Sequence, residues 1–146
     1  MIRRATPSDL SAIVELAVES VSINPIPVKI NREAMREAAD QCLQPAHFCM
    51  VSEIDGVVVG AWAACVQPSF WYDKLQCSVL LHYARAPGEW AKLAREFSKW
   101  AKSRSGIKVA VIELEPESDP RMITFLARVG FDRVSTNVCY VRGVSK

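Results

Sequence analysis

The chain has no long apolar run. Its hydrophobic stretches are of strand length, well short of the roughly 20 residues a helix needs to cross a bilayer, so no membrane span is expected. The opening residues Met1-Ile2-Arg3-Arg4 begin no apolar core of the secretory-leader kind. Histidine is scarce and cysteine is scattered. Cys42, Cys49, Cys65, Cys77 and Cys139 form no Cys-x-x-Cys pair, and His47 and His82 are the only histidines. Metal-ligand spacing is absent, so no metal is called for. An odd number of dispersed cysteines, four of them in apparent strands, argues for free thiols in a reducing, cytoplasmic compartment and against a disulfide framework. Net charge is also small, +2 at pH 7, which demands neither nucleic acid nor a membrane surface as partner. Internal repeats, low-complexity tracts and linkers are missing too.

What remains is a globular composition. Half of the 146 residues are hydrophobic and 23% are charged, enough for one domain over residues 1–146 with a real core. Residues 1–5 read as a short strand. Thr6-Pro7-Ser8-Asp9 supplies helix-start chemistry for a helix that turns Leu10, Ile13, Val14, Leu16 and Ala17 inward. Asn24-Pro25-Ile26-Pro27 breaks it, and Asn31 is placed to cap a second helix over 32–43. The period then changes to two. Residues 48–54 and 57–66 flank Asp55-Gly56, a hairpin signature. Cys77 to Leu81 reads as a buried strand, 88–104 as a basic amphipathic helix, Ile107–Leu114 as a strand and 120–129 as a helix. Phe131 to Val141 reads as a closing strand or hairpin. The order β-α-α-β-β-β-α-β-α-β gives an α/β fold. Its sheet is mixed and mostly antiparallel, with helices on both faces, and the strand–helix–strand unit pairs in parallel.

The segment richest in chemistry is Tyr83-Ala84-Arg85-Ala86-Pro87-Gly88-Glu89-Trp90. It joins the central strand to a helix whose apolar face is Trp90, Leu93, Ala94, Phe97 and Ala101. A strand entering a helix through Arg-x-x-Gly leaves free N–H groups at a helix start, where the dipole favours an anion. Against that stand Pro87, which lacks an N–H, the negative charge of Glu89 and the bulk of Trp90. A plain strand-to-helix connection is the alternative reading.

This loop resembles the pyrophosphate loop of the GNAT (Gcn5-related) N-acetyltransferases, Gln/Arg-x-x-Gly-x-Gly/Ala. Arg85 and Gly88 match and Trp90 departs from the small third residue. The order of elements, the first 15 residues and Phe125-Leu126-Ala127-Arg128-Val129-Gly130-Phe131 are similar to the family as well. Within it the chain looks most like short proteins encoded by tailed phages. The resemblance implies acetyl-CoA as cofactor, and a primary amine of a small molecule or protein as acceptor. It leaves a homodimer open.

The resemblance also assigns roles. Arg85, Ala86, Gly88, Glu89 and Trp90 would surround the pyrophosphate, with Lys92 near the 3′-phosphate of coenzyme A. The main chain of Leu81, His82 and Tyr83 would pair with pantetheine, and Asp119 stands where many members carry a cofactor-side Asn. His82, or Glu113 from the acidic run with Glu115 and Glu117, would take the proton of the amine. Leu126 occupies the place of the usual general-acid tyrosine, so Tyr83, Tyr140 or nothing protonates the thiolate. Phe70, Trp71 and Tyr72, with Glu115, would meet the acceptor. Each has a plainer reading. Histidine and tyrosine are common core residues, the basic helix face suits solvent, Asp119 suits a helix cap, and the aromatic loop suits a sheet edge. A non-catalytic module of the same fold, binding proteins through Phe70-Trp71-Tyr72, is the rival function.

Overall fold

The computed structural model describes residues 1–143. Its first strand, β1 (Ile2–Arg4), leads into a single 3-10 turn at Pro7–Asp9. That turn is held by Asp9, whose Oδ2 accepts the Thr6 N–H at 2.8 Å, and α1 (Leu10–Ile23) follows. The two prolines keep residues 24–31 irregular, and α2 (Arg32–Cys42) begins where Asn31 Oδ1 accepts the Ala34 N–H at 2.9 Å. The hairpin forms as β2 (Phe48–Ile54) and β3 (Val57–Pro68). Asp55 and Gly56 between them adopt φ of 51° and 78°, the left-handed turn their sequence favours. Then come β4 (Leu75–Ala84), α3 (Pro87–Ser103), β5 (Ile107–Val111) and α4 (Pro120–Arg128).

The five strands lie in the order β1-β2-β3-β4-β5. All pairs are antiparallel except β4 with β5, which the α3 crossover makes parallel. The α/β expectation therefore holds, including the mixed sheet. One face carries Cys49, Val51, Ala61 and Ala63 against Leu10, Ile13, Leu16, Ala39 and Cys42 of α1 and α2. The other is aromatic: Phe48 and Trp62 meet Trp90, Leu93, Phe97 and Leu126 of α3 and α4. Gly60 lets α3 lie low on this face. A Cβ there would stand 2.9 Å from Ala84 Cβ and 3.2 Å from Leu93 Cδ1.

Two expectations need correction. The strand expected to Leu114 ends at Val111, so Glu113 and Glu115 lie in the following loop and not in alternating register on one strand side. Residues 131–141 form no strand. Phe131 docks, stacking on Phe97 at 5.8 Å, but Val134, Val138 and Tyr140 stand in solvent. A β-rich composition makes a strand only where a ladder or a packed face receives it, and beyond Phe131 these exposed residues have neither.

The cysteines follow this division. Cys49, Cys65 and Cys77 are in strands, while Cys139, read as a strand residue, is exposed, and all five thiols are free. Burial pushes the pKa of Cys42, Cys49 and Cys77 up to about 12, which makes them poor nucleophiles. A thiol reagent should therefore modify one cysteine quickly in the native protein, and Cys139→Ser should abolish that phase. Slow modification of Cys139 would show the C-terminal segment to be packed.

Candidate active site

The site begins with a break in sheet pairing. Strand β5 pairs with β4 only from Leu75 to Ser78. From Val79 to Ala84 the β5-facing edge of β4 has no strand neighbour among the described residues. Within this stretch β4 also carries a bulge: Ala63 faces Leu81 while Ala64 faces Val79, which leaves Leu80 as the extra residue. A bulge reverses the alternation of side chains. Val79 and Cys77 face α3, yet so do His82 and Ala84, while Leu81 and Tyr83 turn to the α1–α2 face. Leu81, His82 and Tyr83 thus lie on a free strand edge, where an extended ligand could add as a strand does.

That edge runs into the start of α3. The Arg85 N–H closes the sheet on Val59 O at 2.9 Å, and Ala86 caps the helix by accepting from Glu89 and Trp90. Pro87 has no N–H. The N–H groups of Ala86 and Gly88 find no acceptor among the described residues. Space in front of Gly88 is open, since a Cβ there would meet nothing within 4 Å. Trp90 does not obstruct this approach, because its indole is turned into the core. Glu89 is turned away too, its buried carboxylate accepting from Ser52 Oγ and from Lys92 Nζ at 2.9 Å. These bonds, Ser52's first, hold its pKa below the usual carboxylate range. Two of the three obstacles read from the sequence therefore point elsewhere.

His82 is built in on both sides. Trp90 Nε1–H donates to its Nδ1 at 3.2 Å, and its Nε2 lies 2.7 Å from Glu113 O. An indole nitrogen only donates and a carbonyl only accepts, so the proton sits on Nε2 and the Nδ1 lone pair is taken. The ring is packed 5.4 Å from Trp62 and 6.2 Å from Trp90 between centroids. Burial lowers its pKa, against the opposing pull of the Glu113 carbonyl. An imidazole held this way has no free lone pair for an amine proton.

The remaining residues are dispersed. Arg85 forms a forked ion pair with Glu19 of α1, at 2.7 Å from Nη2. Tyr83 lies beside the same carboxylate, and its pKa is raised by burial first and by Glu19 second. Both lie away from His82, on the α1 side. Lys92 is spoken for by Glu89. Asp119 caps α4, accepting the Arg121 N–H at 2.9 Å, and pairs with the Arg121 guanidinium at 2.7 Å. Leu126 is core. Tyr140 is 79% exposed, with the Arg142 guanidinium 5.6 Å from its ring. Glu113, Glu115 and Glu117 are all exposed, and Glu117 accepts from Asn24 Nδ2 at 3.0 Å, tying the loop after β5 to the end of α1. Among the described residues no three His, Cys, Asp or Glu gather as metal ligands, and no helix is long and apolar enough to span a membrane.

Phe70, Trp71 and Tyr72 are brought nowhere near these groups. They precede Leu75, and all of β4 separates them from Arg85, roughly 30 Å at ~3.3 Å per residue. Sequence reasoning missed Glu19, the partner of both Arg85 and Tyr83, for which the chain gives no local signal. It also missed the Trp90–His82 contact, although the eight-residue spacing across a strand-to-helix turn could have suggested it.

Compared by sequence, the chain matches no family model and no curated protein. Compared by structure, it matches acetyltransferases of the GNAT type over nearly its whole length. A protein described as a possible acetyltransferase from Clostridium difficile 630 superposes with a TM-score of 0.71 at 13% identity, covering 99% of this chain and 98% of that one. Glucosamine-6-phosphate N-acetyltransferase from Arabidopsis thaliana gives 0.70 at 13% identity, with 97% of each chain covered. An aminoglycoside acetyltransferase from an uncultured soil metagenomic sample, in complex with sisomicin, gives 0.67 at 14% identity over 99% of this chain and 96% of that one. At such identities the likeness establishes the fold, which is the GNAT fold.

Proposed function

We propose that the protein is an acetyltransferase that binds acetyl-CoA along the free edge of β4 and acetylates a primary amine of a small molecule or protein. The observation that carries this reading is the unpaired edge of Leu81 to Tyr83 running straight into the open N–H groups of Ala86 and Gly88. The edge suits the amides of pantetheine, and the helix start suits a pyrophosphate. Acetyl-CoA would supply an acyl carbon open to attack and a thiolate leaving group. Arg85 and Lys92 add positive charge beside that anion, each tempered by its acidic partner.

Glu113 is the base in this reading. Its side chain is exposed and its backbone is held at the edge by His82, so it can take the ammonium proton directly or through water. The neutral amine would then form the C–N bond to the acyl carbon of bound acetyl-CoA, with the electron pair of the broken C–S bond going to sulfur and the second amine proton passing to that thiolate, directly or through water. A thiolate is a fair leaving group, so the apolar Leu126 is compatible with turnover. Tyr83 is the nearer phenol to this edge.

Calorimetric titration with acetyl-CoA tests the reading. Micromolar binding is expected for the native protein, with at least a tenfold loss, about 1.4 kcal/mol, in Gly88→Val. Open space at Gly88 and the better helix propensity of valine should leave folding stability within about 1 kcal/mol. No binding at millimolar ligand would sink the proposal.

A second reading has one observation in its favour. Ser69 Oγ accepts from the Trp71 and Tyr72 N–H groups at 3.2 and 3.3 Å, holding Phe70 and Trp71 96% and 85% exposed. Such a preformed aromatic tip suits a protein-binding module of the kind phages encode, and a failed titration would favour it.

A further inference from the structure

We infer that His82 is a positioning residue, a strut that fixes the separation between β4 and the segment following β5. The inference rests on the acetyltransferase reading for its purpose and on the structure alone for its existence. Beyond Ser78 no ladder joins the two strands. The imidazole crosses that gap, taking the Trp90 N–H on one nitrogen and giving its own N–H to Glu113 O on the other. Three elements are joined through one ring: the first turn of α3, the bulged half of β4 and the loop after β5. The Leu80 bulge makes this reach possible, because without it residue 82 would face α1.

The consequence is geometric. Trp62 and Trp90 hold the ring, so the imidazole closes the α3 side of the free edge. A ligand lying along Leu81 to Tyr83 would rest over it, with Glu113 set at a fixed height across from it. His82 thereby controls the slot and orients the base, and the proton of the amine never passes through its ring.

Two conservative variants separate the arms of the strut. Asparagine presents its amide near the position of Nδ1, so His82→Asn keeps an acceptor for Trp90 and loses the reach to Glu113. Glutamine presents its amide near Nε2, so His82→Gln keeps the donor to Glu113 and loses the acceptor for Trp90. Amide hydrogen exchange of Ser118, whose N–H donates to Glu115 O at 2.9 Å in this loop, should accelerate at least tenfold in His82→Asn and less than threefold in His82→Gln. Acetyl-CoA affinity should fall in the same order, with the pH–rate profile of His82→Gln keeping the native limb.

Equal exchange in both variants, or no acceleration in His82→Asn, would overturn the strut. Loss of the pH limb in His82→Gln with affinity intact would make His82 the base instead. Should His82→Asn not fold, imidazole ¹⁵N shifts of the native protein decide: protonation on Nε2 with a bare Nδ1 is expected, and the opposite tautomer would overturn the assignment. If the native protein binds no acetyl-CoA, the acetyltransferase reading falls while exchange and tautomer still judge the strut.

Discussion

Phe97→Ala should lower stability by about 3–5 kcal/mol, the cost of emptying a fully buried aromatic site. Phe97 is 0% exposed. Its ring lies 5.2 Å from Phe48, 5.3 Å from Trp62, 6.0 Å from Trp100 and 5.8 Å from Phe131, between centroids. From α3 it joins β2, β3 and the chain beyond α4. Large rigid neighbours refill a cavity poorly, which puts the loss toward the upper end of the range. A domain of this size has about 5–15 kcal/mol in total, so the variant should be marginal at 37 °C. The control is Phe70→Ala, which removes the same group from solvent and should change stability by less than about 0.5 kcal/mol. Urea unfolding with unchanged slope measures both. A loss under 1 kcal/mol at Phe97 would mean that the aromatic face is not the core.

The same residues show why much of the fold was legible. Trp90, Leu93, Ala94, Phe97 and Ala101 repeat at helical spacing because one face of α3 lies on the sheet; the first four are buried and Ala101, near the helix end, is half-buried. Asp55-Gly56 announced its hairpin because few other pairs accept two positive φ angles. Caps are local as well, and Asn31 and Asp119 both perform the capping their sequence contexts suggest. The failures share a different cause. Val134, Val138 and Tyr140 carry strand propensity, yet whether a propensity is used depends on a partner strand that no window of sequence reports.

Around the candidate site, the strand-to-helix turn was legible in the sequence and the directions of its side chains were not. Arg-x-x-Gly marked the helix start because a strand-to-helix turn is a local device. Direction of side chains is not local. The Leu80 bulge decides which face His82 joins, and a one-residue irregularity leaves no mark in an apolar strand. Trp90 read as an obstruction since bulk is visible in sequence and orientation is not. Glu19 was invisible for a related reason: its partner Arg85 is 66 residues away, and long-range ion pairs have no spacing rule. The aromatic loop was placed near the chemistry because it precedes the central strand, but adjacency in sequence puts it at the opposite end of that strand.

Asp9→Asn should cost about 2 kcal/mol at neutral pH and flatten the acid limb of stability. Asp9 is buried, and its carboxylate takes both arms of Arg3 at 2.8 and 2.9 Å and the Thr6 N–H at 2.8 Å. Those bonds, Arg3's first, bring its pKa from 3.8 down to about 2. A carboxyl more acidic in the fold than in the unfolded chain stabilises the fold above the unfolded pKa, and that stabilisation is lost as pH falls through the folded one. The relevant window is therefore pH 4 to 2. Glu19, Glu89 and Asp119 also have lowered values and will lose stabilisation on acidification, so a shallower acid limb remains without Asp9. The distinguishing quantity is proton uptake on unfolding at pH 3, which should drop by about 0.8 in Asp9→Asn. Asparagine keeps one acceptor for Thr6 or Arg3, so the start of α1 should survive. Asp9→Ala, which removes the acceptor as well, should cost about 1 kcal/mol more. Equal costs would show that charge pairing with Arg3, and not the turn at Thr6, is what Asp9 supplies. Unchanged proton uptake would show that the bonds to Arg3 do not persist in solution.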